Sequence, residues 1–227
     1  MTHRLRPCLD CGRPTRNGPR CPAHAVAQAL LEACAERGVL GLAGPSANRF
    51  GRVSPTTAQH VQDEFGDELL IVDGGACAVG IESTIVDCSR GAPVLLRPGA
   101  ITRDQVEAAC GEPLRDKADL AAPDPRASGT LEAHYAPDAK VRLMDAKALQ
   151  SALDVLGAQA AHIAVWARSP LKSRSQRVLQ RRMPDDAAAA AQQLFAVLRG
   201  FDAEGAKLIW IETPPDTPEW EGVRDRL

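Results

Sequence analysis

Three short stretches carry side chains suited to an anionic ligand. The first, GLAGPSANRFGRVSPTTAQHV at 41–61, sets Ser46 and Ser54 eight residues apart around Asn48, Gly51 and Arg52. Pro45 and Pro55 fix φ beside two turns, so much of this backbone is preset. Ser54 and Thr56 precede a segment with helical signals. The unsatisfied N–H groups and dipole of a helix start attract anions. The competing reading is a serine that simply caps an ordinary helix from Ser54, with Pro55 at its first position. The second stretch, GIESTIVD at 80–87, interrupts an apolar strand with Glu82, Ser83 and Thr84. Polar residues at such a strand start either face a ligand crevice or pair at a sheet edge. The third, LLRPG at 95–99, ends an apolar strand on Arg97. Its guanidinium suits a phosphate or carboxylate ligand, or a structural salt bridge, for example to Glu82.

A fourth stretch offers metal chemistry. Cys8, Cys11, Cys21 and His24 stand as C-x2-C-x9-C-x2-H, close to zinc-knuckle spacing. The seven cysteines are an odd number in a chain of ordinary size, which is not a disulfide framework. Cys77, Cys88 and Cys110 have apolar neighbours and read as buried small hydrophobes.

The elements that must position these groups alternate. Residues 25–37 have helical spacing and stop at Gly38. VLGLAG and ELLIVDGG read as strands, and GIESTIVDC and APVLLRPG as two more joined by SRG. Thr102 caps a helix that ends at Gly111. Residues 115–139 hold three prolines and little periodicity, the pattern of a linker. Beyond it come strand KVRLMD, helix AKALQSALDVLG, strand HIAVWA, a basic loop, a long helix from Asp185, strand KLIWIET and a closing helix. That alternation predicts a parallel α/β sheet, and no G-x-G-x-x-G loop in it argues for a dinucleotide.

Hydrophobic residues at 44% and charged residues at 25% are ordinary for a globular chain of 227 residues. A net charge of −2 excludes a global basic field for nucleic acid. A local basic run, Arg168, Lys172, Arg174, Arg177, Arg181 and Arg182, reads as a solvated face or as contact with tRNA or double-stranded RNA. No apolar run approaches the ~20 residues of a membrane span, and the N-terminus lacks a signal-peptide core. The expected location is cytoplasmic, with no membrane partner.

PSANRFGRVSPTTAQHV, VDGG, VGIESTIVD and LLRPGAIT, in this order, resemble the second half of the YrdC domain of the Sua5 family. GTLEAHYAP resembles that family's HYAP segment, which leads into a C-terminal Sua5 domain. The resemblance implies an α/β protein: the C-terminal half of a YrdC-like twisted α/β sheet plus a small Rossmann-like domain with parallel strands. Its segments are an irregular non-family stretch at 1–19, a partial YrdC-like domain at 20–114, the linker at 115–139 and the Sua5 domain at 140–227. The implied activity is threonylcarbamoyl-AMP synthesis from L-threonine, bicarbonate and ATP, with Mg2+, for the t6A37 modification of tRNA. Carried over residue by residue, ATP falls to Ser46, Ser54, Arg97, His134 and Tyr135, and threonine to Arg20, Gly44 and Ser83. Arg20 and His24 match the family's R-x-P-x-H-P segment, so Cys21 and His24 are accounted for without zinc.

The family also has a Thr-x-x-x-Tyr-Gly-Leu-like motif and a Lys-x-Arg pair in a preceding half-domain. This chain has one tyrosine, Tyr135, and no lysine before Lys117. The expectation is therefore a truncated form with impaired synthesis, in which 20–114 is poorly stable and 140–227 folds by itself. Two other classes compete: a non-catalytic nucleotide- or RNA-binding remnant, and a zinc-ribbon interaction protein built on residues 8–24.

Overall fold

The computed structural model describes residues 22–89, 91–119 and 136–227. Cys8, Cys11, Arg20, Cys21, His134 and Tyr135 lie outside the described residues. The chain divides into two compact units, Met1–Ser46 with Val72–Gly74, and Ala47–Ile71 with Gly75–Leu227.

In the first unit, α1 spans Ala25–Ala35 and buries none of its residues. The chain leaves it through Gly38 at φ +81°, a left-handed conformation that favours glycine. The His24 ring lies over Gly74, where a Cβ would stand 2.7 Å from Cε1. Residues 39–44, expected as a strand, carry no ladder. The same holds for 68–75, where 3-10 geometry covers Gly66–Glu68 and no strand follows. An apolar run becomes a strand only when a neighbour takes its N–H and C=O groups. No such neighbour exists among the described residues, and Leu40 is 88% and Leu70 96% exposed.

The second unit contains two sheets. In the first, β1 (Ile85–Asp87) pairs antiparallel with β2 (Val94–Arg97), which pairs parallel with β3 (Arg115–Asp116). The connecting helix α3 (Arg103–Cys110) has the expected Thr102 cap, completed as a capping box by Gln105, and stops at Gly111 in the left-handed region. β3 falls where the sequence reads as linker, because a two-residue strand leaves no periodicity to detect. The helix before this sheet, α2, is Ala58–Phe65, and its cap is Thr57 rather than Ser54. Thr57 Oγ1 accepts from the His60 N–H at 3.2 Å, while Ser54 has another partner. Cys77, Cys88 and Cys110 are exposed, against expectation. They occupy a loop, the residue after β1 and the last turn of α3, all at the surface.

The second sheet is fully parallel in the order β4-β7-β5-β6, with β4 Lys140–Met144, β5 Ile163–Ala167, β6 Leu179–Arg182 and β7 Leu208–Glu212. β6 lies inside the run read as a basic loop, since its Gln and Arg residues mask the strand. Two helices cover the sheet on opposite faces. Leu149 and Leu153 of α4 (Ala146–Leu156) pack with Ile163, Val165, Ala167 and Trp210. Leu194, Phe195, Leu198 and Phe201 of α5 (Ala187–Ala203) pack with Ala164, Trp166, Ile209 and Ile211. Successive strand residues thus alternate between two cores, which is why β5 reads as one continuous apolar run. Asp145 and Asp186 cap the two helices with their carboxylates. The final helix, α6, is Glu221–Arg224. Val53 and Ile81, which precede the linker in sequence, belong to the same core as α5, Trp220 and Val223. The parallel sheet therefore shares its core with part of the front piece.

Candidate functional site

Of the residues expected to meet an anion, Ser54 bonds the Glu82 carboxylate and Arg97 bonds the carbonyl of the adjoining Ser83. Ser54 is 7% exposed, and its Oγ donates to Glu82 Oε1 at 2.5 Å. The other carboxylate oxygen, Oε2, accepts from Nε of Arg226 at 2.9 Å. Arg97, 6% exposed, donates from Nε and Nη2 to the Ser83 carbonyl at 3.1 and 2.9 Å. The carboxylate partner expected for Arg97 thus goes to Arg226, while Arg97 fixes the backbone that carries Ser83. Ser83 itself is exposed. Thr84 Oγ1 donates to the Ile101 carbonyl at 2.8 Å, fastening the strand start to the turn after β2.

A second grip holds Ser54 from behind. Arg199, on α5, donates from Nε to the Ser54 carbonyl at 3.4 Å and from Nη2 to the Val53 carbonyl. Nη2 also pairs with Glu64 Oε1 at 2.8 Å. Glu64 sits on α2 with its side chain only 3% exposed, and Arg52 Nε stands 3.5 Å from the same oxygen. Thr56 donates its N–H to His60 Nδ1 at 3.2 Å. That bond requires an unprotonated Nδ1 and a proton on Nε2. Burial, then the nearby Arg199 charge, holds the His60 pKa below the ordinary histidine value, with Asp63 opposing.

The residues expected to contact one ligand are therefore partly assembled. Ser54, Ser83 and Arg97 form one hydrogen-bonded constellation. Gly44 and Ser46 belong to the first unit, where both are exposed. Of the HYAP segment, Ala136 and Pro137 are described; the Ala136 N–H donates to the Gly51 carbonyl at 3.2 Å, in an isolated parallel bridge between Ala136 and Arg52. Among the described residues no group of three or more His, Cys, Asp and Glu side chains could hold a metal ion. Sequence reading missed Arg199 and Arg226. An arginine inside an apolar helix, RGF after LFAVL, is the linear signal for the first, and Arg226 has none.

The basic run is largely occupied by its own fold. Arg168 pairs with Glu212 at 3.1 Å and lies over the Trp220 ring. Arg177 donates to the Gln159 carbonyl. Arg181 pairs with Glu204 and lies over Phe201, and Arg182 pairs with Asp185 at 2.9 Å.

Parallel strands with helices on both faces, joined to a serine–glutamate–arginine constellation at a neighbouring sheet, define an α/β protein with a built polar site. Comparison with known proteins narrows the class. A family model described as "Threonylcarbamoyl-AMP synthase, C-terminal domain" matches residues 101–227. A second, described as "Telomere recombination", matches residues 4–99. The chain belongs to the Sua5/YrdC family of threonylcarbamoyl-AMP synthases. The second match begins inside the stretch read as non-family.

A threonylcarbamoyl-AMP synthase of Schizosaccharomyces pombe is 31% identical over 98% of this chain and 59% of its own length. One from Bacillus subtilis is 41% identical over 56% of this chain and 36% of its own. A crystal structure of Pyrococcus abyssi Sua5 complexed with L-threonine superposes with a TM-score of 0.76 at 28% identity, covering 92% of this chain and 62% of that one. The chain thus spans less than two thirds of the length of these relatives.

Proposed function

We propose that this chain carries the ATP and threonine wall of an L-threonylcarbamoyladenylate synthase acting in tRNA t6A formation in the cytoplasm. The observation that supports this most is the joining of Ser54, Ser83 and Arg97 through Glu82 and the Ser83 carbonyl. In this reading ATP meets Ser46, Ser54, Arg97, His134 and Tyr135, and threonine meets Arg20, Gly44 and Ser83. The carbamate formed from threonine and bicarbonate attacks the α-phosphate of ATP, and pyrophosphate leaves. Charge on the phosphates calls for cations and fixed donors. Arg97 answers that need in the second unit, at a strand end held by two hydrogen bonds to backbone. The described residues supply no carboxylate cage, so Mg2+ is assigned to the triphosphate, its usual carrier, and no step is routed through it. Among the described residues no helix is long and apolar enough to cross a membrane.

Calorimetric titration of the full chain with ATP and with L-threonine tests the reading, followed by a pyrophosphate-release assay with both substrates and bicarbonate. Ser83→Ala, at an exposed position, is expected to weaken threonine binding about tenfold, the loss of one good hydrogen bond, and to leave ATP binding unchanged. Failure of the parent chain to bind either ligand, or an unchanged threonine affinity in the variant, overturns it. The RNA reading gains no support from Arg168, Arg181 and Arg182 of the basic run, which are ion-paired within the fold.

A further inference from the structure

We infer that Glu82 is a positioning residue for the Ser54 hydroxyl, and that Arg226 locks Glu82 in place. The inference rests on the assignment of Ser54 to ATP made above. A serine hydroxyl has a single proton and rotates freely unless that proton is committed. Here it is committed to Glu82 Oε1 at 2.5 Å, so the direction of the Ser54 oxygen follows the carboxylate.

The carboxylate cannot swing, because its second oxygen is held by Arg226 at 2.9 Å. Arg226 in turn has a side chain with 0% exposure. Its Nη1 donates to the Pro98 carbonyl at 2.9 Å and to the Asp225 carboxylate, and its Nη2 to the Glu82 carbonyl at 3.4 Å. Close approach of α6 makes this reach available. A Cβ on Gly222 would stand 2.8 Å from the Gly99 carbonyl oxygen and 3.0 Å from Ile81 Cδ1, so only glycine lets the helix sit so near the RPG turn. The C-terminal domain thereby takes part in aiming a ligand-facing serine more than a hundred residues away.

A double-mutant cycle on ATP binding by the full chain tests this. Calorimetric Kd values for ATP are compared among the parent, Ser54→Ala, Glu82→Gln and the double variant, with thermal unfolding reporting the folded state. Each single change is expected to weaken ATP about tenfold, and the double variant no more than either single one, because Glu82 acts through the serine. A merely structural role for Glu82 gives additive losses. Additive losses, or a silent Glu82→Gln beside an impaired Ser54→Ala, overturn the positioning role and leave the ATP assignment standing. A silent Ser54→Ala overturns the ATP assignment of Ser54 itself, and this inference with it. Where Glu82→Gln does not fold, Arg226→Lys replaces it in the same cycle: it keeps the charge but loses the fork, and the same outcomes are decisive.

Discussion

Thr56 and His60 form a hook whose integrity depends on a neutral imidazole, since the backbone N–H donates to Nδ1. Burial and Arg199 hold the folded pKa below the ordinary value of 6.5. The unfolded chain therefore takes up this proton first as pH falls. The stabilisation is complete above 6.5 and is lost as pH drops toward the lower folded value. Thermal unfolding followed from about pH 7.5 to about pH 5.5 should show a decline that His60→Gln flattens. An identical decline in the variant excludes His60 as its source. Arg199 makes a second prediction at this scale. Removing Arg199 leaves the buried Glu64 carboxylate to the more exposed Arg52 at 3.5 Å, so Arg199→Ala should cost about 3 kcal/mol in urea unfolding. The loss should shrink markedly when Glu64→Leu is added, because the poorly paired buried charge is then gone. Neither effect was legible in the sequence. Ser83 and Arg97 could be picked out because they interrupt or end apolar runs, and Ser54 because it stands with Pro55 ahead of a helix start. Arg199, which holds the Ser54 carbonyl, and Arg226, which holds Glu82, lie about 145 residues beyond their partners, where no local pattern points back to them.

At the scale of elements, the parallel sheet was readable because each helix and strand repeats its period cleanly: α4, α5, β4, β5 and β7 all fall where expected. The failures have a common physical origin. VLGLAG and ELLIVDGG have strand composition, but a strand exists only in a ladder, and ladder partners are not a local property. The cap of α2 moved from Ser54 to Thr57 because Glu82 claims the Ser54 hydroxyl first. The seat of the GIEST segment on α5 is set by Gly80. Its φ is +83°, and a Cβ there would lie 2.4 Å from both Cα and the carbonyl oxygen of Gln192. Backbone cannot yield as a side chain tip does. Gly80→Ala should cost about 2–5 kcal/mol from the left-handed penalty and overpacking together, measured by denaturant unfolding. A loss under about 1 kcal/mol would mean that the segment can lift from the helix without penalty.

For the molecule as a whole, Val53 and Ile81 in the core of α5 tie the segments ahead of α2 and β1 to the parallel sheet within the second unit. Sequence reading treated the linker as a boundary, because prolines and lost periodicity mark a break in pattern, not in packing. With Ile81 of that core standing four residues ahead of β1, native-state hydrogen exchange should protect Val94–Leu95 and Ala164–Trp166 with similar free energies. Markedly weaker protection of the first pair would restore two independent folding blocks.

The Glu82–Arg226 bond spans 144 residues of chain and the Arg199 grip on Val53 spans 146. Closing such large loops costs entropy before any contact repays it. The polar constellation is therefore a late arrival in time, formed on a scaffold already in place. In pulse-labelled refolding, the amides of α5 should gain protection ahead of those at 85–87, and a newly made chain would spend its early life as a framework still waiting for its site.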